Sequence, residues 1–266
     1  MAETALSHVL TASSLLTRAG QWEAAAELLR ATHVTDPDED LRLKLALAEV
    51  TVDQDFAQRT DYSGSALTDL SAALAAQSDP VPQWDAAMLA LRKRYSTHLF
   101  ATFDGDSPAP DSSAVAQLAA EAERLQVEAA DDSRRSAAAF YRGLIDDNLR
   151  GQHADAFKHY TGSLALSESA NDDLQASYAF RDLGDHAHTA GDLTLARTYW
   201  ERSTEIRQRE GHLLGALAQQ VLLATLTRDE GNPTAAKAIA AETNRWARQL
   251  NLHYVVAQTA ELLQES

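Results

Sequence analysis

Tyr178, Arg181, Asp185 and His188 follow one another at steps of 3, 4 and 3 residues. On an α-helix that spacing sets a phenol, a guanidinium, a carboxylate and an imidazole along one strip. As a binding surface, Arg181 offers a planar fork to a carboxylate or phosphate, His188 adds a donor, and Tyr178 adds an aromatic face and a hydroxyl. As an acid–base site, Asp185 would orient His188 and raise its basicity, Arg181 would hold an anionic group, and Tyr178 would donate a proton. A plainer reading pairs Arg181 with Asp185 and Asp185 with His188, a solvated face worth about 0.2–0.5 kcal/mol per pair. The acid–base set is unspecific, so the expectation leans away from an enzyme and assigns no catalytic residue.

The remaining chemistry is narrow. His186 and His188 are two apart, roughly 200° around a helix, and cannot share one metal ion while the helix persists. His186 is instead expected to pack with Asp182, four residues before it. With no cysteine there is no disulfide, thiol catalysis or Cys-based zinc site, and no HExxH spacing occurs. P-loop, dinucleotide and GxSxG fingerprints are missing too, so neither metal nor cofactor is expected. A net charge of −16 argues against nucleic acid as a partner. No apolar run approaches the roughly 20 residues of a membrane span, and MAETALSHVL lacks a basic signal-peptide start, so a cytoplasmic chain without membrane contact is expected.

The elements that must carry the strip are helices in series. Gly151, Gly191 and Gly231 stand 40 residues apart, and turn signals between them recur about every 20 residues. A fixed period in this range predicts stacked two-helix units. Helices are predicted at about 3–18, 21–33, 39–57, 63–77, 81–102, 112–130, 132–150, 152–169, 172–190, 192–210, 212–230, 233–250 and 252–265, from apolar periodicity between turn residues. The fold class is all-α, a right-handed solenoid of antiparallel helix pairs in one domain over 1–266. Residues 1–103 form degenerate repeats, 104–110 a loop, and 111–266 the regular array. Trp22, Trp84 and Trp246 are expected in the packing, and the mixed charges of Glu201, Arg202, Glu205, Arg207 and Arg209 on a solvated face.

The stretch YAFRDLGDHAHTAGDLTLARTYWERSTEIRQREGH resembles a tetratricopeptide repeat of the long, roughly forty-residue kind found in actinobacterial regulators. The resemblance falls on Phe180, Leu183-Gly184, Ala196 and Trp200. In such repeats the first helix of each pair lines a concave groove, which the resemblance maps onto Tyr178, Arg181, Asp185 and His188. One unit earlier the equivalents are Ala138, Tyr141, Ile145 and Asn148; one unit later, Ala218, Val221, Thr225 and Arg228. The resemblance therefore implies a scaffold or regulatory module whose groove takes a protein or peptide segment, or a small anionic ligand. Its ligand-binding residues would be Tyr178, Arg181, Asp185, His188, Tyr141, Asn148 and Arg228. An acid–base enzyme and a homo-oligomer assembled through the apolar end helix 257–264 are the other readings.

Overall fold

A computed structural model describes residues 5–75, 77–103 and 111–264. Thirteen α-helices and no strand lie among the described residues. The chain divides into two compact units, 1–156 and 157–266. The first holds α1 (Leu6–Arg18), α2 (Trp22–Arg30), α3 (Pro37–Gln58), α4 (Ser63–Leu74), α5 (Pro80–Phe103), α6 (Ser112–Glu128) and α7 (Asp132–Asn148). The second holds α9 (Asp173–Thr189), α10 (Leu193–Arg209), α11 (Leu213–Asp229), α12 (Pro233–Gln249) and α13 (His253–Gln264), while α8 (His153–Ala170) is divided between the two. Each predicted helix is present, with ends shifted by a few residues. The loop expected at 104–110 lies outside the described residues.

In the second unit the helix boundaries are written by a repeating pair of residues. Asn171, Gly191, Gly211, Gly231 and Asn251 all adopt positive φ, the left-handed conformation that ends a helix at least cost on glycine or asparagine. At three of these junctions an acceptor follows at once and caps the next helix: Asp172 takes the Gln175 N–H at 3.0 Å, Asp192 that of Leu195 at 3.0 Å, and Asn232 that of Ala235 at 3.1 Å. At a fourth, after Gly211, the ring Nδ1 of His212 does the same for Gly215 at 2.9 Å. Stop and start signals side by side leave 17-residue helices, α9 to α12, joined by three-residue links. The forty-residue repeat is thus two turns of a twenty-residue cycle.

The core of this unit is built around a large indole seated on a glycine. Gly184 lies against the indole of Trp200, which is 2% exposed, and a Cβ there would fall 2.3 Å from the ring. Ala187, Ala196 and Leu226 complete the buried cluster around the indole. The indole N–H is not wasted: it donates to the Arg181 carbonyl at 3.0 Å and to Asp185 Oδ1 at 3.1 Å. Phe180 lines an open surface depression of about 490 Å³ with Tyr199, Thr198, Glu201, Arg202 and Glu205. Trp246 is displaced from its expected place: it is 42% exposed, because the buried stripe of α12 runs through Ala236, Ala240, Thr243, Asn244 and Ala247.

In the first unit, α5, α6 and α7 bury Trp84, Met88, Leu91, Tyr95, Leu118, Leu125 and Ile145 together. The Trp84 indole donates to the Leu125 carbonyl at 2.8 Å. Two arginines at the start of α7 oppose the helix dipole, and the aspartates beside them offset the cost. Asp131 caps the helix through the Arg134 N–H at 2.8 Å and pairs with the Arg134 side chain, Asp132 pairs with Arg135, and Asp85 grips Arg134 through both oxygens at 2.7 and 2.9 Å. Trp22 and Trp84 are buried as expected.

Candidate functional site

The four-residue strip on α9 is realised as a row of half-buried side chains. Arg181 Nη2 meets Asp185 Oδ2 at 3.1 Å, and its Nη1 bonds Asp182 Oδ1. Burial works against the Arg181 charge, but the two carboxylates outweigh it and hold its pKa above the ordinary arginine value. Asp185 is fixed from behind by the Trp200 indole, so the tight packing of that indole on Gly184 sets the position of a strip residue.

His188 does not take Asp185 as its partner. Its Nε2 lies 2.8 Å from Asp229 Oδ2 on α11, and its ring leans on Trp200 with centroids 5.2 Å apart. Asp229 also accepts from Arg228 Nε at 2.8 Å, and these two bonds hold its carboxyl below the usual aspartate range. His188 and Arg228, assigned to the site from one sequence ruler, therefore meet at a shared carboxylate, the component that ruler missed. Tyr178 reaches the same neighbouring helix at its other end, its hydroxyl 3.3 Å from His212 Nε2. Because His212 Nδ1 accepts the Gly215 N–H, the neutral ring carries its hydrogen on Nε2 and donates to the Tyr178 oxygen. His186 packs against Phe157 and Tyr160, each 5.7 Å between centroids.

Beneath the strip lie two charged groups of different origin. Asp182 is 4% exposed and its Oδ2 has no hydrogen-bond partner; burial pushes its pKa up to about 6, with Arg181 lowering it and Asp185 raising it. Arg207, expected on a solvated face, is also 4% exposed. It reaches between α9 and α11 to Ser177 Oγ and the Gly215 carbonyl, both at 3.3 Å, with its guanidinium carbon 5.0 Å from the Tyr178 ring centre. Burial pulls its pKa down to about 10 against the pull of Tyr178, Asp182 and Asp185 in the other direction. The signal was in the spacing: Ala196, Trp200, Ser203 and Arg207 fall on one face, and the whole face is buried. On α11 the amide of Gln219, 0% exposed, leaves both its oxygen and its nitrogen without a partner.

Tyr141 and Asn148 belong to the first unit and sit in a cluster of their own. Tyr141 packs edge-on to Tyr95 at 5.5 Å, and Asn148 Nδ2 donates to the Tyr95 hydroxyl at 2.9 Å. Arg92 bonds both Asp53 and the Tyr141 hydroxyl. Asp53, Arg92 and Tyr95 escaped the sequence reading because no repeat register was legible before residue 111. The other equivalents on α7, Ala138 and Ile145, are 0% exposed core residues, so the polar strip of α9 has no counterpart there. Of the α11 equivalents, Val221 is buried as well, while Arg228 is half-buried at the Asp229 pair.

Among the described residues no group of three or more His, Asp or Glu side chains is placed to hold a metal ion, and no helix is long and apolar enough to cross a membrane. No protein-family model matches the chain, and no curated protein matches its sequence. Among solved structures, the aspartyl phosphate phosphatase F of Bacillus subtilis is similar in fold, with a TM-score of 0.56 over 98% of this chain and 79% of that one. The two are 10% identical, so the likeness reaches the fold and no further. With thirteen helices and no strand among the described residues, it places the chain among all-α helical repeat folds of the tetratricopeptide-like kind.

Proposed function

We propose that this chain is a binding module, a scaffold or regulator, whose second unit takes a protein or peptide segment along the strip of α9 and the facing end of α11. The observation that carries the reading is the row Tyr178, Arg181, Asp185 and His188, half-buried and tied across to Asp229, Arg228 and His212. An ordinary wet helix face gains little from such an arrangement. Here the side chains are held in place by Trp200 and by the next helix pair, which is the preorganisation a recognition surface needs.

The charges shape what fits. Arg181 and Arg228 are each already paired with aspartates, so a simple anion would have to displace a carboxylate to bind. A polypeptide segment, with backbone donors and acceptors and a carboxylate of its own, exchanges one set of bonds for another and meets both signs at once. This favours a peptide or protein partner over a small anionic ligand.

The test uses the full chain. Immobilised wild type and an Arg181→Gln/His188→Ala variant are compared in a pulldown, alongside a thermal-shift screen against small carboxylates and phosphates. The reading expects a partner retained by the wild type and lost by the variant, with both proteins folded by circular dichroism. Equal recovery of every partner by the two proteins would overturn it.

A further inference from the structure

Asp182 follows Arg181 directly on α9, but its side chain is 6% exposed against 35% for that of Arg181. One of its oxygens, Oδ1, accepts from Arg181 Nη1, and the other, Oδ2, has no hydrogen-bond partner. A buried carboxylate satisfied on one side only keeps its charge while its cation stays beside it. The charges that act on it are Arg181 and Asp185 from α9 itself and Arg207 from α10. Arg207 bonds Ser177 and the Gly215 carbonyl instead of Asp182. His186, one turn further along α9, sets its ring against Phe157 and Tyr160 of α8, while Tyr160 and Tyr254 of α13 act on Arg181.

Two carboxylates therefore share one guanidinium, Nη1 serving Asp182 and Nη2 serving Asp185. An acidic group arriving at Arg181 meets excess negative charge and must displace one of them. Asp185, its side chain 34% exposed, has solvent and the Trp200 indole to support it. Asp182 has neither, and burial has already raised its pKa to about 6. Once protonated it needs no cation, and the Nη1 edge of Arg181 is released.

We infer that recognition at the α9 strip is coupled to a proton: an acidic group of the bound segment takes Arg181 from Asp182, and Asp182 takes up a proton as its cation leaves. The proton comes from solvent and ends on the Asp182 carboxyl, with no other bond made or broken. The inference rests on the binding role of the strip and adds its control. Above pH 6 the free protein is ionised at Asp182 and must gain a proton to bind; below it the proton is already there, so binding strengthens as pH falls.

The test selects random peptides, displayed with free carboxyl termini, on the immobilised full-length chain at pH 5.5 and 7.5, with counter-selection on Arg181→Gln. Histidine-free binders are then titrated by calorimetry in buffers of different ionisation enthalpy. Affinity should be about 20-fold higher at pH 5.5, the ratio of protonated fractions for a group with a pKa of about 6, and binding at pH 7.5 should take up about one proton. Asp182→Asn, which cannot ionise, should bind at pH 7.5 as tightly as the wild type does at pH 5.5, with no proton uptake. His188→Ala should keep the pH dependence. Arg181-dependent peptides that bind equally at the two pH values, or whose pH dependence persists in Asp182→Asn, would overturn the inference and leave the binding role of the strip standing. Finding no Arg181-dependent peptide at either pH would overturn both.

Discussion

Replacing Gly184 by alanine adds one methyl group on α9 where the Trp200 indole of α10 packs against it. The new carbon would stand 2.3 Å from Trp200 Cδ1 and 2.4 Å from Nε1, where ordinary contact begins at 3.4 Å. An indole that is 2% exposed has nowhere to swing, so ring and helix must part by roughly 1 Å in an interior packed as densely as a crystal. Overpacking of this kind costs about 1–3 kcal/mol. Parting the helices also stretches the two indole bonds, to the Arg181 carbonyl and to Asp185, each worth about 1 kcal/mol. Against this, alanine gains about 0.5–1 kcal/mol over glycine in a helix interior. The balance is a loss of about 2–3 kcal/mol, a fall in Tm of about 5–10 °C for a chain of this size. Gly162 on α8 is the matched control: nothing lies within 4 Å of a Cβ built there, so Gly162→Ala should keep the propensity gain and melt slightly higher than wild type. Both variants are read by thermal unfolding under identical conditions. If Gly184→Ala melts with or above Gly162→Ala, the tight approach of Trp200 to α9 is refuted, and with it the account of how Asp185 is held.

Two further perturbations probe the charges beneath the strip. Asp182 has a folded pKa of about 6, above its unfolded value of 3.8, so the native state binds its proton more tightly, and stability falls as pH rises through 4 to 6. Asp182→Asn should remove that slope and be more stable at pH 7.5 by up to about 3 kcal/mol, measured by denaturant unfolding across pH. Arg207 is buried with its pKa drawn down to about 10, and its hydrogen bonds at 3.3–3.4 Å are long and made to neutral groups. Arg207→Met should therefore raise stability at pH 7 by about 1–2 kcal/mol, and a loss of more than about 1 kcal/mol would show that those bonds outweigh the desolvation.

Architecture was legible because the signals that end and start helices are local. Left-handed residues at 171, 191, 211, 231 and 251, and the acceptors that follow the first four of them, act within a few residues, so a reader of sequence meets them directly. The strip was legible for the same reason, since steps of 3 and 4 along α9 are a property of one helix. What it touches was not. His188 was matched to Asp185 on its own helix, yet it bonds Asp229 from α11, a contact fixed by how successive helix pairs lie together. Arg207 was hidden among charges of mixed sign, a pattern usual on wet faces, although its place four residues after Ser203 put it on the buried stripe. Trp246 misled in the opposite sense: its size suggested core, but small residues already fill that stripe of α12.

The binding role of the α9 strip is tested most directly by one comparison on the full-length chain. Partners recovered on immobilised wild type are titrated against wild type, Arg181→Gln/His188→Ala and, as a control away from the strip, Arg202→Ala. The account predicts at least a tenfold loss of affinity in the strip variant and no change in the control. A partner that binds all three equally would contradict it.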